Sequence, residues 1–401
     1  MKRLVVLSHV VHYRHDGKLY AFGPYAREID IWADLFPEVV IAAPCRDSAP
    51  KGDSMPFERA NITIHPILKT GGDSLGAKIA QLIWLPLVIV GLSRAMAHAD
   101  AIHVRCPGNL GFLGVLLARF FSRYRVAKYA GQWNGYPGEN LTGRLQRWLL
   151  KSWWWGAPVT VYGEWKNQPP HVHAFFTSMM SDQQVETAVT HAREKTFSYP
   201  LRVLFSGRLV AEKRVHVFID AIAAVAASGI KIEVRIVGDG PLREELEAQA
   251  RASGIAEFTR FVGAVPFDQS LQHYRWADCL LLPSVHSEGW PKVIAEAMCH
   301  GLICVAVDHG QVGRMLNGRG ILLPNGETEQ FVTALKSIAD DPAKFRELGQ
   351  QASHWSQRYS RDGLRSALAE LLQQNWSVRL IQPGNTSTAP EVHSAEILLN
   401  E

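Results

Sequence analysis

Short apolar runs alternate with helical patterns along both halves of the chain. In the first half the runs are Leu4–Leu7, Val39–Ala42, Ile62–Ile64, Ala101–Val104, Val126–Tyr129 and Val159–Tyr162. In the second they are Arg202–Phe205, Lys231–Val237, Thr259–Val262, Cys279–Leu282 and Ile303–Val307. Continuous apolar runs, as opposed to alternating ones, mark strands buried on both faces of a parallel sheet. The helical patterns between them supply the covering layers. Two such series predict an α/β protein of two doubly wound, Rossmann-like domains. The expected division is an N-terminal domain over 1–195 and a C-terminal domain over 200–355, with a polar break near His191–Pro200. The segment 356–376 carries a final amphipathic helix, Arg361–Trp376. The tail 377–401 is rich in breakers and small polar residues and reads as disordered.

Composition excludes some classes. With 401 residues, 47% hydrophobic and 20% charged, the chain builds sizeable cores and is not disordered throughout. The net charge of +4 is uneven: residues 1–200 hold 22 Lys/Arg against 15 Asp/Glu, the remainder 20 against 23. A basic N-terminal half suits an anionic membrane or a phosphate-bearing substrate, or is a solvated surface. The basic residues form no dense run, which argues against nucleic acid. Five cysteines without a CxxC pair point to a reducing compartment, with neither disulfide framework nor zinc site. The first apolar run is too short for a signal peptide. The longest apolar stretch, Leu82–Leu92, contains Pro86 and falls short of the ~20 residues of a membrane span. The expected location is the cytoplasm, with possible peripheral binding to the inner face of the plasma membrane. Residues 144–155 carry that second expectation. Leu145, Trp148 and Leu149 recur at helical spacing among Arg144, Arg147 and Lys151, in a region rich in Trp. A basic amphipathic helix of this kind docks on anionic lipid, unless the tryptophans fill the domain core.

Two constellations carry chemistry. Ser206-Gly207-Arg208 directly follows a strand, with Lys213 five residues on. Gly207 permits a sharp turn, and Arg208 and Lys213 then stand at the carboxyl edge of the sheet, where open α/β folds bind ligands. An Arg fork and a Lys point charge suit a diphosphate, although a basic surface turn reads the same way. The second is Glu288-Gly289-Trp290-Pro291, running into Lys292–Met298 with Glu296 inside. Pro291 is suited to the first helical position, and the loop with the helix N-terminus forms an anion cradle. Glu288 and Glu296 are too far apart to touch one atom. They suit two points of an extended ligand, a sugar and a ribose diol.

Taken in order, Gly-Arg-Leu-x-x-Glu-Lys, Val237-Gly238-Asp239-Gly240-Pro241, Phe261-Val262-Gly263, Ala277-Asp278 leading to Pro283-Ser284, and Glu-Gly-x-Pro-Lys-Val-x-x-x-Glu-Ala-Met resemble the retaining GT-B glycosyltransferases of family 4. The resemblance covers roughly residues 200–350. It implies that Arg208 and Lys213 bind a donor diphosphate beside Gly207, Glu288 the donor sugar and Glu296 the ribose. It also implies that Gly289, Trp290 and Pro291 meet phosphate and sugar, with Val262 and Gly263 near the base. It implies no metal or other cofactor, because the cations and helix dipole stabilise the leaving nucleoside diphosphate. The implied acceptor is a saccharide, free or lipid-linked, in surface polysaccharide or glycoconjugate synthesis. Three features depart from the family. The loop after the first strand lacks a Gly-Gly pair. His103-Val104-Arg105 stands for His-x-His, and His309-Gly310-Gln311-Val312-Gly313-Arg314 lacks the glutamate of Gly-Gly-x-x-Glu. His103 and Arg105 are expected at the cleft as catalytic candidates with Glu288, Arg208 and Lys213, and His9 and His12 as acceptor-side groups. Two other readings share the fold: a nucleotide-sugar epimerase and a non-catalytic nucleotide-sugar binder.

Overall fold

A computed structural model describes residues 1–68, 75–135, 139–196, 199–285 and 289–377. The N-terminal part runs β1 (Arg3–Leu7), β2 (His12–His15), β3 (Lys18–Phe22), α1 (Gly23–Leu35), β4 (Glu38–Ala43), β5 (Cys45–Asp47), β6 (Ser54–Pro56), β7 (Ile62–Pro66), α2 (Leu75–Met96), β8 (Ala101–Cys106), α3 (Asn109–Leu117), β9 (Tyr124–Tyr129), α4 (Leu141–Lys151), β10 (Val159–Tyr162), β11 (Val172–Phe175) and α5 (Asp182–Glu194). Then follow β12 (Leu201–Ser206), α6 (Val215–Ala227), β13 (Ile232–Val237), α7 (Arg243–Ala252), β14 (Thr259–Gly263), α8 (Phe267–Trp276), β15 (Cys279–Leu282), α9 (Lys292–Cys299), β16 (Ile303–Val307), α10 (Val312–Leu316), β17 (Ile321–Leu323), α11 (Thr328–Asp340), α12 (Pro342–Ser356) and α13 (Arg361–Trp376).

Two parallel sheets result. The first has the order β11-β10-β9-β8-β1-β4-β7 and the second β14-β13-β12-β15-β16-β17. Every run expected as a strand lies in one of them. Both sheets reverse their winding beside the first strand, between β1 and β8 and between β12 and β15, which opens a crevice at the carboxyl edge. Their central strands are buried, with Leu4 to Leu7 and Leu280 to Leu282 essentially inaccessible.

A third sheet, β5-β2-β3-β6, grows out of the loop after β1. Its β2–β3 hairpin turns at Asp16-Gly17, both with positive φ (48° and 70°), a pair suited to a tight two-residue turn. The departure from a Gly-Gly loop here is therefore an inserted hairpin.

The chain crosses between domains twice. After β11 it enters α5, whose Val185 and Ala188 pack with Met180 and Cys299 on the C-terminal side. The helix continues through His191 to Glu194, so the expected polar break begins later than the sequence suggests. The boundary at 195 follows the chain, whereas packing assigns α5 to the second domain. In return α13 packs on α1: the Trp376 ring lies 6.4 Å from Phe36 and 5.8 Å from Tyr124, and Arg365 pairs with Asp34 at 3.4 Å. Apart from Ser377, the expected disordered tail lies outside the described residues.

Candidate active site

The carboxyl edge of the second sheet is built by close backbone contact. Gly207 N–H donates to the Val237 carbonyl at 2.9 Å, and Leu209 N–H to that of Asp239 at 3.0 Å. A Cβ on Gly238 would stand 1.9 Å from the Gly207 oxygen, and one on Gly240 2.3 Å from the Leu209 oxygen. No side chain fits either position, so Val237–Pro241 forms a glycine floor under the Gly207–Leu209 loop. Gly238 N–H also donates to the Gly263 carbonyl at 2.8 Å, bringing Val262 and Gly263 to the same edge. Arg208 extends exposed from this loop, and Lys213 follows half-buried on a short 3-10 turn.

Glu296 lies on α9 with 7% of its surface exposed. The Tyr274 hydroxyl from α8 stands 2.8 Å from its Oε2 and 3.3 Å from Ser206 Oγ. The carboxylate is thus anchored beside the residue that opens the Gly207-Arg208 turn. Burial pushes its pKa up, opposed by the Tyr274 hydrogen bond and the Lys292 charge. Tyr274 and Ser206 escaped the sequence reading. Tyr274 sits at an ordinary apolar position of α8, and no spacing links it to Glu296.

Pro291 is the cap, with α9 starting at Lys292, one residue later than expected. A Cβ on Gly289 would meet the Tyr162 ring at 2.6 Å and the Gly131 oxygen at 3.5 Å. The Gly289–Pro291 loop therefore rests directly on the N-terminal domain. Glu288, expected to hold a sugar, lies outside the described residues.

On the N-terminal side a buried ion cluster stands at the strand ends. Glu28 of α1 pairs with Arg105 at 3.0 Å and with Lys128 at 2.8 Å. Burial alone would raise the Glu28 pKa, but the two cations outweigh it and hold the carboxyl down at about 2. The Lys128 ammonium lies 5.0 Å from the Tyr162 ring, the ring that touches Gly289. Arg105 stands one residue before the end of β8, with its charge compensated by Glu28. His103 needs correction. It is fully buried, stacked on Trp32 at 4.5 Å, and neither ring nitrogen has a hydrogen-bond partner. Burial pushes its pKa down to about 3, so it is a neutral core imidazole that no substrate reaches. The alternation of β8 sends it into the layer beneath α1. His12 is likewise buried, with Nδ1 2.9 Å from the Val10 carbonyl and its pKa near 4 through burial. His9 stays exposed on the rim, packed beside Gly108.

Trp290 also lines an interdomain cavity with Phe175, Phe176, Gln311, Arg314 and Tyr359. Arg208, Lys213 and Glu296 are not among its walls. Arg314, standing where the family has a glutamate, bridges to Glu164 of the first domain at 2.6 Å. Among the described residues no group of three or more His, Cys, Asp or Glu side chains is placed to hold a metal ion.

Residues 200–341 match the family described as glycosyl transferases group 1. This segment is similar to group 1 glycosyltransferase domains. The whole architecture is the GT-B fold. HepE from Anabaena, solved in complex with UDP, superposes with a TM-score of 0.68 over 93% of this chain and 100% of its own, at 18% identity. The 2-deoxystreptamine glucosyltransferase of Streptomyces kanamyceticus is 31% identical over 144 residues, 35% of this chain and 36% of its own length. The amylovoran biosynthesis glycosyltransferase AmsK of Erwinia amylovora is 28% identical over 151 residues, 36% and 37% of the two chains. The matched segment thus spans little more than a third of these two curated relatives. The matched segment contains Gly207, Arg208, Lys213, Val262, Gly263, Gly289, Trp290, Pro291 and Glu296 together.

Proposed function

We propose that this protein is a retaining glycosyltransferase that moves a sugar from a nucleotide-sugar donor to a saccharide acceptor in surface polysaccharide or glycoconjugate synthesis. The observation that carries the reading is the buried Glu296 carboxylate, held by Tyr274 beside the Gly207-Arg208 turn at the carboxyl edge of the segment that matches group 1. A carboxylate kept in so apolar a setting suits a ribose diol, whose two hydroxyls can donate to it. The UDP complex of the HepE neighbour supports the donor class, and the similarity to an exopolysaccharide phosphotransferase of Streptomyces coelicolor supports the polysaccharide setting.

In this mechanism Arg208 and Lys213 hold the diphosphate, with the Gly289–Pro291 backbone and the start of α9 facing it. They stabilise the negative charge that grows on the leaving nucleoside diphosphate, which removes the need for a metal. The bond from the sugar's anomeric carbon to the phosphate oxygen breaks, and one to the acceptor hydroxyl forms on the same face. The acceptor proton passes to the departing phosphate oxygen, so no protein base is required. Glu288 is assigned to the donor-sugar hydroxyls.

The first test is a thermal-shift panel of UDP, GDP and ADP with their sugars, in chelator and then with Mg²⁺. A ligand at about 100 times its Kd stabilises the native state by roughly 2.7 kcal/mol. A shift in chelator with one nucleotide family is expected. A folded sample that responds to none overturns the reading. With the donor known, the product's anomeric configuration should equal the donor's, and inversion would refute retention.

A further inference from the structure

We propose that the outer face of α2, α3 and α4 is a docking surface for an anionic lipid bilayer, with α2 as the principal apolar contact. The sequence expectation placed such a surface at residues 144–155. Helix α4 spans Leu141–Lys151, and Trp155 beyond it is core. The larger apolar exposure is on α2, which the sequence shows only as an apolar run broken by proline.

The inner side of α2, Val88, Leu92 and Met96, packs into the core beneath the first sheet. A surface helix would turn polar residues outward. Instead Ile83, Leu87 and Val90 form an exposed stripe at positions i, i+4 and i+7, with Ile83 65% and neighbouring Leu82 70% exposed. On α4 of the same layer, Leu141, Leu145 and Trp148 repeat that spacing and exposure, and Trp153 just after it is 80% exposed. Arg119 lies over the Trp153 and Trp154 rings at 5.5 and 4.4 Å. Scattered exposed apolar residues need no explanation, but two parallel stripes on one layer do.

Charge selects the occupant. Residues 75–163 hold ten Lys/Arg against two acids, Asp100 and Glu139; Arg105 and Lys128 are taken up by Glu28 at the cleft, which leaves eight cations outside that cluster. Glu139 is buried against Arg147, and Asp100 accepts from the Lys2 and Arg3 amides at 2.6 and 2.9 Å. No exposed acid therefore opposes the basic residues of this layer other than Asp100. Anionic lipid complements such a face, whereas a second copy would oppose like charges across a two-fold axis. Among the described residues no helix is long and apolar enough to cross a membrane, so α2 would lie in the interface plane. Each of these helices follows a strand of a parallel sheet, so their N-termini share the edge that opens on the cleft. Docking would bring that cleft to a lipid-anchored acceptor, a consequence that rests on the glycosyltransferase reading, although the docking itself does not.

The experiment is cosedimentation of the full chain with phosphatidylcholine vesicles, with and without phosphatidylglycerol, alongside sedimentation velocity without lipid. Wild type is expected to bind only the anionic vesicles and to remain monomeric. Ile83→Asp/Leu87→Asp should weaken binding by at least about tenfold, given the apolar area these side chains bury. Arg119→Gln and Arg144→Gln should each cost roughly fivefold and flatten the salt dependence. The Ile83→Asp/Leu87→Asp and Arg144→Gln variants should keep the wild-type melting temperature, since those side chains are exposed. No binding to either vesicle overturns the proposal. So does equal binding to both, or a wild-type dimer that Ile83→Asp/Leu87→Asp dissolves.

Discussion

Burial of the Glu296 carboxyl on α9, with the Tyr274 hydroxyl 2.8 Å from Oε2, raises its pKa in the folded state. A raised folded value means stability fully present below the unfolded pKa of about 4.3 and lost as pH rises through the folded one. At neutral pH the charged carboxylate therefore costs stability. Glu296→Gln keeps the shape and an acceptor for Tyr274. It should melt above wild type without ligand at pH 7, with the gap closing toward pH 4 in a pH series of melts. The same variant should lose about one to two orders of magnitude in donor affinity, the ~1.5–3 kcal/mol of a charge-assisted hydrogen bond. A lower melting point with normal donor affinity would make Glu296 structural. Glu28 behaves oppositely. Its pKa is held down near 2, so its contribution is present above the unfolded value and lost as pH falls through about 2. Lys128→Met leaves that buried charge with one fewer partner and should cost about 3–5 kcal/mol in urea unfolding. At this scale the sequence named Glu296, Arg208 and Lys213 through motif spacing. It misplaced His103, because strand alternation and the position of α1 decide whether a side chain meets the cleft or the core.

At the scale of elements, the proposed donor edge depends on glycines that let turns touch. Gly240→Ala would push a methyl group to 2.3 Å from the Leu209 oxygen and displace the loop that carries Arg208. Both melting temperature and donor affinity should fall, measurable in one thermal-shift titration. Gly289→Ala acts elsewhere, its methyl meeting the Tyr162 ring at 2.6 Å across the domains. The expected outcome is weaker donor use with little loss of stability, since the conflict lies in the contact between loop and cleft. Equal damage to stability would place the Gly289 contact in the fold instead. The strands were legible because both faces of a parallel strand are buried, which writes a continuous apolar run into the chain. The β2–β3 hairpin was signalled only by Asp16-Gly17, within a stretch whose polar residues hid the short strands. Helix α2 was obscured because apolar residues lie on its inner and outer sides alike, leaving no periodicity to read.

Across the whole molecule, the two domains are tied by α5 and α13, each contributed to the other domain's packing. Removing α13 by ending the chain at Ser360 would take Leu364, Leu368, Leu372 and Trp376 out of the main core. The truncated protein should melt well below the full chain or fail to accumulate as soluble protein, read by calorimetry or by yield. A truncated protein that melts normally would refute the structural role of the crossing helix. The Arg314–Glu164 pair spans the domains at 2.6 Å but stays largely exposed. Arg314→Ala should change stability by about 1 kcal/mol or less.

The sequence by itself determined the two-sheet architecture and the motifs on which the proposed donor edge rests. Both are local: apolar runs encode buried strands, and glycines, cations and a helical glutamate at fixed spacings encode a turn followed by a helix. Tertiary structure decided which polar residues share a site. Tyr274 with Ser206 and Glu296, Glu28 with Arg105 and Lys128, and Gly289 with Tyr162 are each joined across 22 residues or more. No local pattern constrains such pairs, because their meeting depends on how sheets and helices stack after the chain has folded.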